Sequence, residues 1–415
     1  KSISSREGKT PWVFYEGPPS ANGMPGIHHV MARTLKDIFC RYKTQQGFQV
    51  KRKAGWDTHG LPVELGVEKE LGITKEDIGK KISVEEYNEA CKKAVMKYTG
   101  VWNDLTEQMG YWVDMEDPYI TYKTKYIESV WWLLKQLHEK NLIYKGYTIQ
   151  PYSPKAGTGL SSHELNMPGT YRDVKDTTIV AQFKAKDSNF KVDSLKSAFD
   201  EGNLYLLAWT TTPWTLPSNT ALTIGEKIDY VLVKTFNQYT FEPIQVVLAK
   251  ALIEKQFSGK FFSVENESDL EAYSEQDKKI PFLVSDTFKG SDLLGIKYEQ
   301  LMPYTQPYEK AENAFVVIPG DFVTTEDGTG IVHIAPSFGA DDFKVATDNG
   351  IGALTLVNKR GQFTEEMGEF AGRFVKNEYD VNYDDALKAD NVDVELIVKL
   401  KKENRAFKTE KYVHS

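Results

Sequence analysis

The sequence predicts an α/β protein in two parts, an α/β half with a mainly parallel sheet followed by a β-rich half. Between Pro11 and Gly169, short apolar runs alternate with long helical patterns, which is typical of a parallel sheet. After Gly169, short β-like runs separated by turn residues indicate a barrel-like domain. The chain has 415 residues, too many for one ordinary core, so we expect two or three domains.

The predicted elements follow in order along the chain. In the first half they are the strand WVFYEG, the helix VMARTLKDIFCRY, the strand FQVKRKAGWD and the helices VEEYNEACKKAVMKYTGVWNDL and KYIESVWWLLKQLHEKNLIYKG, the last ending at Gly146. In the second half they are the strands TTIVAQFKA, LYLLAWTTT, DYVLVKTF, IQVVLAKALI, AFVVIPG and GTGIVHIAP and the helix DDFKVATDNG.

The composition excludes several classes of protein. The chain is 40% hydrophobic and 12% aromatic, has no apolar run of membrane-spanning length, and does not begin with the pattern of a signal peptide. Its two cysteines, Cys40 and Cys91, favour a reducing, cytoplasmic location. The net charge of -8 argues against non-specific coating of nucleic acid, although a local basic track would still allow an RNA partner.

Two segments of the first half contain the residue types that bind phosphate and ammonium groups. Residues 18–30 form a glycine-rich turn between a strand and a helix, where free backbone N–H groups bind phosphate, and His28 and His29 would add donors. The alternative is a tight loop with two surface histidines. Asp57 follows the second strand and would hold an ammonium group, or it caps the helix that begins near Leu61.

The second half contains another candidate site. Three threonines, residues 210–212, end an apolar strand, and a threonine run is also ordinary strand material. His333 lies on a later strand, and Asp341 and Asp342 open a predicted helix, where Asp341 would serve as an N-cap without any further function. Both readings remain open from spacing alone.

These motifs together resemble the class I aminoacyl-tRNA synthetases, and among them the isoleucyl-tRNA synthetases. The resemblance rests on GPPSANG with GIHH, GWDTHGLPVE, YWVDMEDPYITY, AWTTTPWTLPSN and GTGIVHIAPSFGADDF, and it extends over essentially the whole chain. It implies the first part of a Rossmann-like catalytic domain in residues 1–169, an inserted, barrel-like editing domain in residues 170–400, and a return to the catalytic domain in residues 401–415. Because the Lys-Met-Ser-Lys-Ser signature and an anticodon-binding region are missing, we expect an internal portion of a longer enzyme.

The resemblance assigns residues to a synthetic site. Gly17 and Pro18 would line the isoleucine pocket, and Asp57 would bind the α-ammonium of isoleucine. The catalytic ATP signature falls, in order, on Gly26, Ile27, His28 and His29. The family signature normally reads His-x-Gly-His, so His28 stands at the position of the glycine and Gly26 at that of the first histidine. We expect an active site with a reshaped adenine shelf, which would also change the binding of inhibitors that occupy the adenylate pocket.

The resemblance also assigns an editing site, whose members are Thr210, Thr211, Thr212, Asn219, His333 and Asp342. The threonines and Asn219 would surround the acylated ribose, His333 would set the size limit or position the ester, and Asp342 would anchor the α-ammonium. Valine lacks one methylene of isoleucine, a difference too small for one pocket to reject, so a second, hydrolytic site is needed. The segment offers hydroxyl groups and no nucleophilic triad, so we expect a positioned water as the nucleophile.

The implied activity is that of an isoleucine–tRNA ligase with proofreading of valyl-tRNA(Ile). ATP with Mg²⁺, L-isoleucine and tRNA(Ile) are the implied substrates and partners, with no membrane and a monomeric state. Where relatives often carry a zinc-binding cysteine pair, residues 153–156 read Ser-Pro-Lys-Ala, so no metal site is expected. The alternatives are an editing-only deacylase fragment, a valyl-tRNA synthetase, and a non-catalytic tRNA- or partner-binding module.

Overall fold

The computed structural model describes residues 3–186, 188–380, 383 and 391–414. It divides into two compact units, Lys1–Gly146 and Tyr147–Ser415. The first unit mixes helices with a small parallel sheet and the second is built on a large sheet, so the predicted α/β class with a β-rich second part is confirmed. The domain boundaries at residues 169 and 400 stay predictions. No helix in the described ranges is long and apolar enough to cross a bilayer.

The first unit surrounds one pair of strands. Its elements are α1 (Ile27–Gln45), β1 (Lys53–Trp56), α2 (Leu61–Leu71), α3 (Val84–Val95), α4 (Thr99–Gln108), β2 (Asp114–Ile120) and α5 (Thr124–Glu139). β1 and β2 are parallel, with Gly55 opposite Tyr119. The buried side chains Ala21, Trp56 and Trp102 pack together beside them, so the loop before α1 is fastened to the carboxyl end of β1 and to α4.

The strand predicted for residues 12–17 does not form. An isolated bridge joins Pro11 to Gln49, and the following residues have no ladder partner within the described part of the chain. Val13 and Tyr15 are 65% and 90% exposed, whereas a buried strand was predicted. A strand requires a neighbour, and β1 makes its parallel ladder with β2, so the apolar pattern alone does not determine the outcome.

Two predicted helices are shorter than the sequence patterns suggested. The segment that begins at Val84 is interrupted at residues 96–98, because the backbone N–H of Tyr98 donates to the Ala21 carbonyl at 3.0 Å and redirects the chain. α5 ends at Glu139 and does not reach Gly146, since Asn141 adopts a left-handed conformation with φ 57° that terminates the helix.

α1 is amphipathic, and the described residues leave its apolar side uncovered. The exposed apolar side chains are Ile27, Met31, Leu35, Ile38, Phe39 and Tyr42. The residues that this helix buries are Asp37, Cys40 and Thr44. Asp37 forms ion pairs with Arg41 and Arg52 at 2.5 and 2.7 Å, so polar contacts hold α1 within the unit.

The second unit contains the remaining elements. They are β3 (Tyr152–Ser153), β4 (Thr158–Gly159), α6 (Ser162–Leu165), β5 (Val174–Lys184), α7 (Asp193–Asp200), β6 (Leu204–Thr210), β7 (Ala221–Ile224), β8 (Asp229–Phe236), β9 (Pro243–Ala249), α8 (Ile253–Gln256), β10 (Phe261–Ser263), α9 (Glu267–Glu271), β11 (Ile280–Lys289), β12 (Val316–Pro319), β13 (Ile331–Ile334), α10 (Ala340–Asp348), α11 (Val392–Lys402) and β14 (Ala406–His414). All six strands predicted for this half are present, and so is the helix of residues 340–348.

Ten strands of this unit form one mixed sheet that branches at β6. One edge of β6 pairs along its length with antiparallel β5, which in turn pairs with β14. The other edge is shared: residues 204–206 pair with β9, and Trp209 pairs with Val332 of β13, both in parallel. Most of the buried apolar side chains of the unit pack against this sheet. Beyond Trp209, this edge of β6 has no further ladder partner among the described residues.

Gly330 allows β13 to begin where β9 ends. It has φ +75°, and a Cβ atom at this position would overlap the side chain of Ala249, the last residue of β9. The backbone N–H of Ala249 donates to the Thr329 carbonyl at 2.8 Å, which fixes the approach. A residue without a side chain is therefore required at the branch.

We predict that Gly330→Ala lowers the free energy of unfolding by ~3 kcal/mol, because a left-handed conformation and an overlap are both imposed. Gly259→Ala is the matched control: Gly259 has φ +73° but no atom within 4 Å of the new Cβ, so we expect ~1 kcal/mol. Urea unfolding of both variants measures the difference. Equal losses would contradict the claim that close approach, and not φ, requires the glycine.

Candidate functional site

The first unit places the predicted phosphate-binding turn at the start of a 19-residue helix. Gly26 is the N-cap of α1, and its backbone N–H donates to Nδ1 of His29 at 2.9 Å. The ring of His29 lies between that of His28, at 3.8 Å, and that of Trp102, at 4.8 Å between centroids. Burial lowers the pKa of His29, and the nearby His28 and Arg33 lower it further, so a neutral ring is favoured beside an exposed His28.

Asp57 lies directly after β1, as the sequence predicted, and it does not cap a helix. The N-cap of α2 is Gly60, which has φ 110° and no side chain to offer. The Asp57 carboxylate is exposed and accepts one long bond, from the N–H of His59 at 3.4 Å. Its backbone N–H donates to the Pro19 carbonyl at 2.9 Å, which fastens the GPPS loop to the end of β1. This carboxylate is therefore available to a ligand.

The loop with Gly17 and Pro18 borders a cavity of about 460 Å³. Its lining residues are Phe14, Tyr15, Glu16, Pro18, Lys51, Arg52, Lys53, Val113, Tyr119 and Tyr126. Pro18 is one of them, whereas Gly17 is exposed nearby and its carbonyl accepts from Lys36 at 3.4 Å. The structure thus brings Pro18 to a cavity, Asp57 to the adjoining strand end, and Gly26 with His28 and His29 to the start of α1.

Glu16 is a residue of this region that sequence reasoning missed. Its carboxylate oxygens accept from Lys36 at 2.5 Å and from the hydroxyl of Tyr111 at 2.6 Å. The hydroxyl of Tyr119 donates to the Glu16 carbonyl at 3.3 Å. Glu16 therefore joins the GPPS loop to α1 and β2. The partners lie 20 to 103 residues away along the chain, and no local pattern indicates them.

The second unit has a cavity of about 320 Å³ at the branch of its sheet. It is lined by Trp209, Thr210, Thr211, Phe322, Thr324, Asp327, Gly328, Thr329, Gly330, Ile331, Val332 and His333. Two of the predicted threonines and His333 are thus brought together across β6 and β13. Thr212 lies one step behind the lining, and its backbone N–H donates to Thr210 Oγ1 at 3.1 Å.

His333 is held in one tautomer by Thr215, which sequence reasoning also missed. The Thr215 hydroxyl donates its proton to the Thr212 carbonyl at 2.8 Å, so its oxygen must accept from Nε2–H of His333 at 3.0 Å. Nδ1 then carries the lone pair, and it is buried without a hydrogen-bond partner among the described residues. Burial lowers the pKa of His333 to about 4. The ring is a neutral acceptor at pH 7.

Asn219 does not reach this cavity. Its side chain is 1% exposed, donates to the Ala221 carbonyl at 2.8 Å and accepts from the hydroxyl of Tyr298 at 2.7 Å. The structure therefore uses Asn219 to fasten the end of the 3-10 turn Pro213–Ser218, called here the 213–218 turn, and leaves no polar atom of it facing the lining residues.

Asp342 occupies the first turn of α10, whose N-cap is Gly339 and not the predicted Asp341. The Asp342 carboxylate accepts from the backbone N–H of Ala335 at 2.9 Å, directly after β13. Burial raises the pKa of this carboxyl, and the negative charge of Asp341 acts in the same direction. Asp342 lies beyond the cavity lining, close to the strand end that carries His333. Among the described residues, no group of three or more His, Cys, Asp or Glu side chains is arranged to hold a metal ion.

We predict that burial of His333 makes the stability of the chain depend on pH. The unfolded imidazole binds a proton near its ordinary pKa of 6.5, and the folded one only near 4. Stability is therefore complete above pH 6.5 and falls by about 3 kcal/mol between pH 6.5 and 4. Urea unfolding of the wild type and of His333→Gln at intervals between these pH values measures the difference in slope. Identical slopes would show that His333 is not buried as a neutral ring.

Comparison with known proteins places the chain in a family. Residues 1–402 match the family described as tRNA synthetases class I (I, L, M and V). Curated relatives include the isoleucine–tRNA ligases of Cytophaga hutchinsonii, Bacteroides thetaiotaomicron and Porphyromonas gingivalis, which are 61%, 58% and 56% identical. Each match covers 100% of this chain and 38% of the relative, so the chain spans less than two fifths of these proteins.

A solved structure, the editing domain of the cytosolic leucyl-tRNA synthetase of P. knowlesi, matches 42% of this chain and 62% of its own, with 15% identity. Its TM-score of 0.30 is too low to support an argument. The family match and the relatives suffice, and they agree with the motifs around Gly26, Asp57 and Thr210. The chain belongs to the class I tRNA synthetases of the I, L, M and V group.

Proposed function

We propose that this chain is part of an isoleucine–tRNA ligase that also hydrolyses valyl-tRNA(Ile). The identity of 56–61% to isoleucine–tRNA ligases over the whole chain is the observation that carries the proposal. The geometry supports it in both units. The first offers a free carboxylate beside a helix start, and the second offers hydroxyl groups and a neutral imidazole around a separate cavity.

In the proposed synthetic reaction, the first unit binds and orients two substrates. The exposed Asp57 carboxylate holds the α-ammonium of isoleucine, and Gly17 and Pro18 border its pocket. The N-terminal N–H groups of α1 and the imidazoles of His28 and His29 stabilise the phosphates of ATP while the isoleucine carboxylate attacks the α-phosphorus. Isoleucyl-adenylate and pyrophosphate are formed, and the acyl group then passes to the terminal ribose of tRNA(Ile). Positioning and charge stabilisation supply the catalysis.

In the proposed editing reaction, the second unit positions water at the ester of valyl-tRNA(Ile). Thr210 and Thr211 line the cavity, and Thr212 orders them from behind. We propose that a substrate hydroxyl or a water donates to the buried, unpartnered Nδ1 of His333, whose ring stays neutral. Asp342 would anchor the α-ammonium, and binding of that cation would compensate the burial that raises the pKa of the carboxyl. We propose that Asn219 acts by holding the 213–218 turn and not by contacting the ribose.

The remaining proposals concern substrates and location. ATP is proposed with Mg²⁺ as its counter-ion, and tRNA(Ile) and L-isoleucine as the other substrates. We also propose a monomer with no membrane partner. A cytoplasmic location and the lack of zinc in this portion agree with the two separated, free cysteines. An editing-only deacylase is the second candidate, because the cavity at the β6 branch combines threonine hydroxyl groups and an imidazole within one unit.

Two substitutions in the full-length protein test the proposal, and each is the control for the other. Asp57→Asn removes the charge that pairs with the ammonium of isoleucine, so we expect isoleucine-dependent ATP–pyrophosphate exchange to fall at least tenfold in kcat/KM. Deacylation of valyl-tRNA(Ile) should be unchanged. Asp342→Ala should give the reverse, with deacylation reduced at least tenfold and exchange unchanged.

The outcomes separate the candidate functions. Exchange with isoleucine by the wild type supports the ligase, whereas deacylation without exchange supports the editing-only enzyme. Exchange that prefers valine would indicate a valyl-tRNA synthetase, and neither activity would indicate a binding module. Normal deacylation by Asp342→Ala would exclude the proposed role of Asp342.

The swapped positions of glycine and histidine in the ATP signature, Gly26 and His28, give a further prediction. A Cβ atom at Gly26 would lie 2.9 Å from Cε1 of His28, so the two positions are sterically coupled. We expect Gly26→His alone to raise the KM for ATP because the His28 ring must move. Adding His28→Gly removes the overlap and should restore the KM. ATP–pyrophosphate exchange of the two single variants and the double variant measures this coupling.

Binding of an adenylate analogue to the same variants tests the shape of the adenine shelf. We expect the double variant to bind it with an affinity different from that of the wild type. Additive effects of the two substitutions on the KM for ATP, together with an unchanged affinity for the analogue, would show that the swapped positions of glycine and histidine have no structural consequence.

A further inference from the structure

A buried cluster of charges lies behind the 213–218 turn, outside the candidate editing site. Asp393, in the first turn of α11, is 2% exposed. Its Oδ2 atom lies 2.8 Å from Nζ of Lys376, and the same ammonium lies 2.9 Å from Asp176 on β5. Asp176 also lies 3.1 Å from Nε2 of His414 on β14. The cluster thus joins α11 to two strands of the sheet.

The second oxygen of Asp393 points to the candidate site. Oδ1 accepts a hydrogen bond of 2.9 Å from the backbone N–H of Trp214, the second residue of the 213–218 turn. An N–H group in the first turn of a 3-10 helix has no partner within that helix, and here it is partly buried. A carboxylate is a strong acceptor for such a group, and the ammonium of Lys376, 2.8 Å from Oδ2, holds this carboxylate in place.

The turn connects the two residues proposed to act on the ester. On one side, Thr215 accepts from Nε2–H of His333 at 3.0 Å. On the other, the Trp214 ring contacts that of Phe338 edge-on at 4.9 Å, and Phe338 lies in the loop between β13 and α10. The backbone of that loop, at Ala335, binds the Asp342 carboxylate. A shift of the turn would therefore move His333 and the loop before Asp342 together.

Lys376 holds its charge within this cluster. Burial alone would lower the pKa of its ammonium, but Asp393 and Asp176 outweigh that effect and raise the pKa. Burial raises the pKa of Asp393, and Lys376 opposes the rise. The pair costs desolvation energy, and a leucine in its place would fill the volume without that cost. The hydrogen bond to the turn is the feature that an apolar replacement could not supply.

We propose that Asp393, held by Lys376, is a positioning residue of the editing site: its hydrogen bond to the Trp214 N–H fixes the 213–218 turn, and through Thr215 it fixes the orientation of His333. The proposal rests on the hydrolytic function proposed above. Asp393 does not touch the ester, so its loss should lower the rate of hydrolysis of bound valyl-tRNA(Ile) and leave tRNA binding unchanged.

Two double variants of the full-length protein isolate the hydrogen bond. Lys376→Met with Asp393→Asn and Lys376→Met with Asp393→Leu both remove the charges of Lys376 and Asp393 and have similar volumes. Asp176 keeps its contact with His414 in both. Only the asparagine keeps an acceptor for Trp214. We expect the leucine variant to have a kcat for deacylation about tenfold lower than the asparagine variant, with the same KM. ATP–pyrophosphate exchange should be the same in both.

The outcomes are distinct. Equal kcat values for the two folded double variants would overturn the role of Asp393, and so would a difference confined to KM. A wild type that exchanges pyrophosphate but does not deacylate valyl-tRNA(Ile) would overturn the editing function itself. If either double variant fails to fold, Asp393→Asn compared with Asp393→Ala, with Lys376 retained, makes the same test, and rescue by asparagine is the expected result.

Discussion

The branch of the sheet at β6 is the constraint on which the second unit depends. One strand edge cannot bond two neighbours at the same residues, so β9 pairs with residues 204–206 and β13 takes over at Trp209. The ladder is open beside residues 210 and 211 because of this change of partner. The cavity forms there, and the same change places His333 opposite the threonines. A continuous ladder would have filled that space with paired backbone.

The branch also explains why the cavity is polar at its base. Backbone groups at the end of β6 lose their ladder partners, and the 213–218 turn that follows needs acceptors for its own N–H groups. Side chains supply them: Thr210 accepts from the N–H of Thr212, and Asp393 accepts from the N–H of Trp214. The Thr210 hydroxyl accepts this backbone hydrogen bond and also lines the cavity. One short segment therefore has both a structural and a chemical role.

Much of this fold could be predicted from the sequence, and the exceptions share a cause. Apolar, β-branched runs predicted six strands of the second half, because these strands are buried in one sheet, where local pattern and environment agree. The strands β7, β10, β11 and β14 of the same sheet were not predicted. Residues 12–17 show the same apolar pattern and form no strand, since a strand depends on a neighbour that local pattern does not reveal. Among the candidate residues, Asp57 and His333 were predicted from motifs, and their roles stay predictions. Glu16, Thr215 and Asp393 were missed because distant contacts define them; Asp393 lies 179 residues from Trp214.

The two candidate sites differ in the solvent exposure of their polar groups. In the first unit, Asp57 and His28 are exposed, so their polar atoms keep their hydration and are accessible to charged substrates. In the second, His333 is buried and neutral, and Asp342 is half-buried, with its pKa raised by desolvation. Water attack on an ester requires oriented acceptors more than fixed charge, and a desolvated imidazole with one free nitrogen is such an acceptor. Burial therefore favours the hydrolysis proposed for the second site, whereas exposure of Asp57 suits the amino-acid binding proposed for the first.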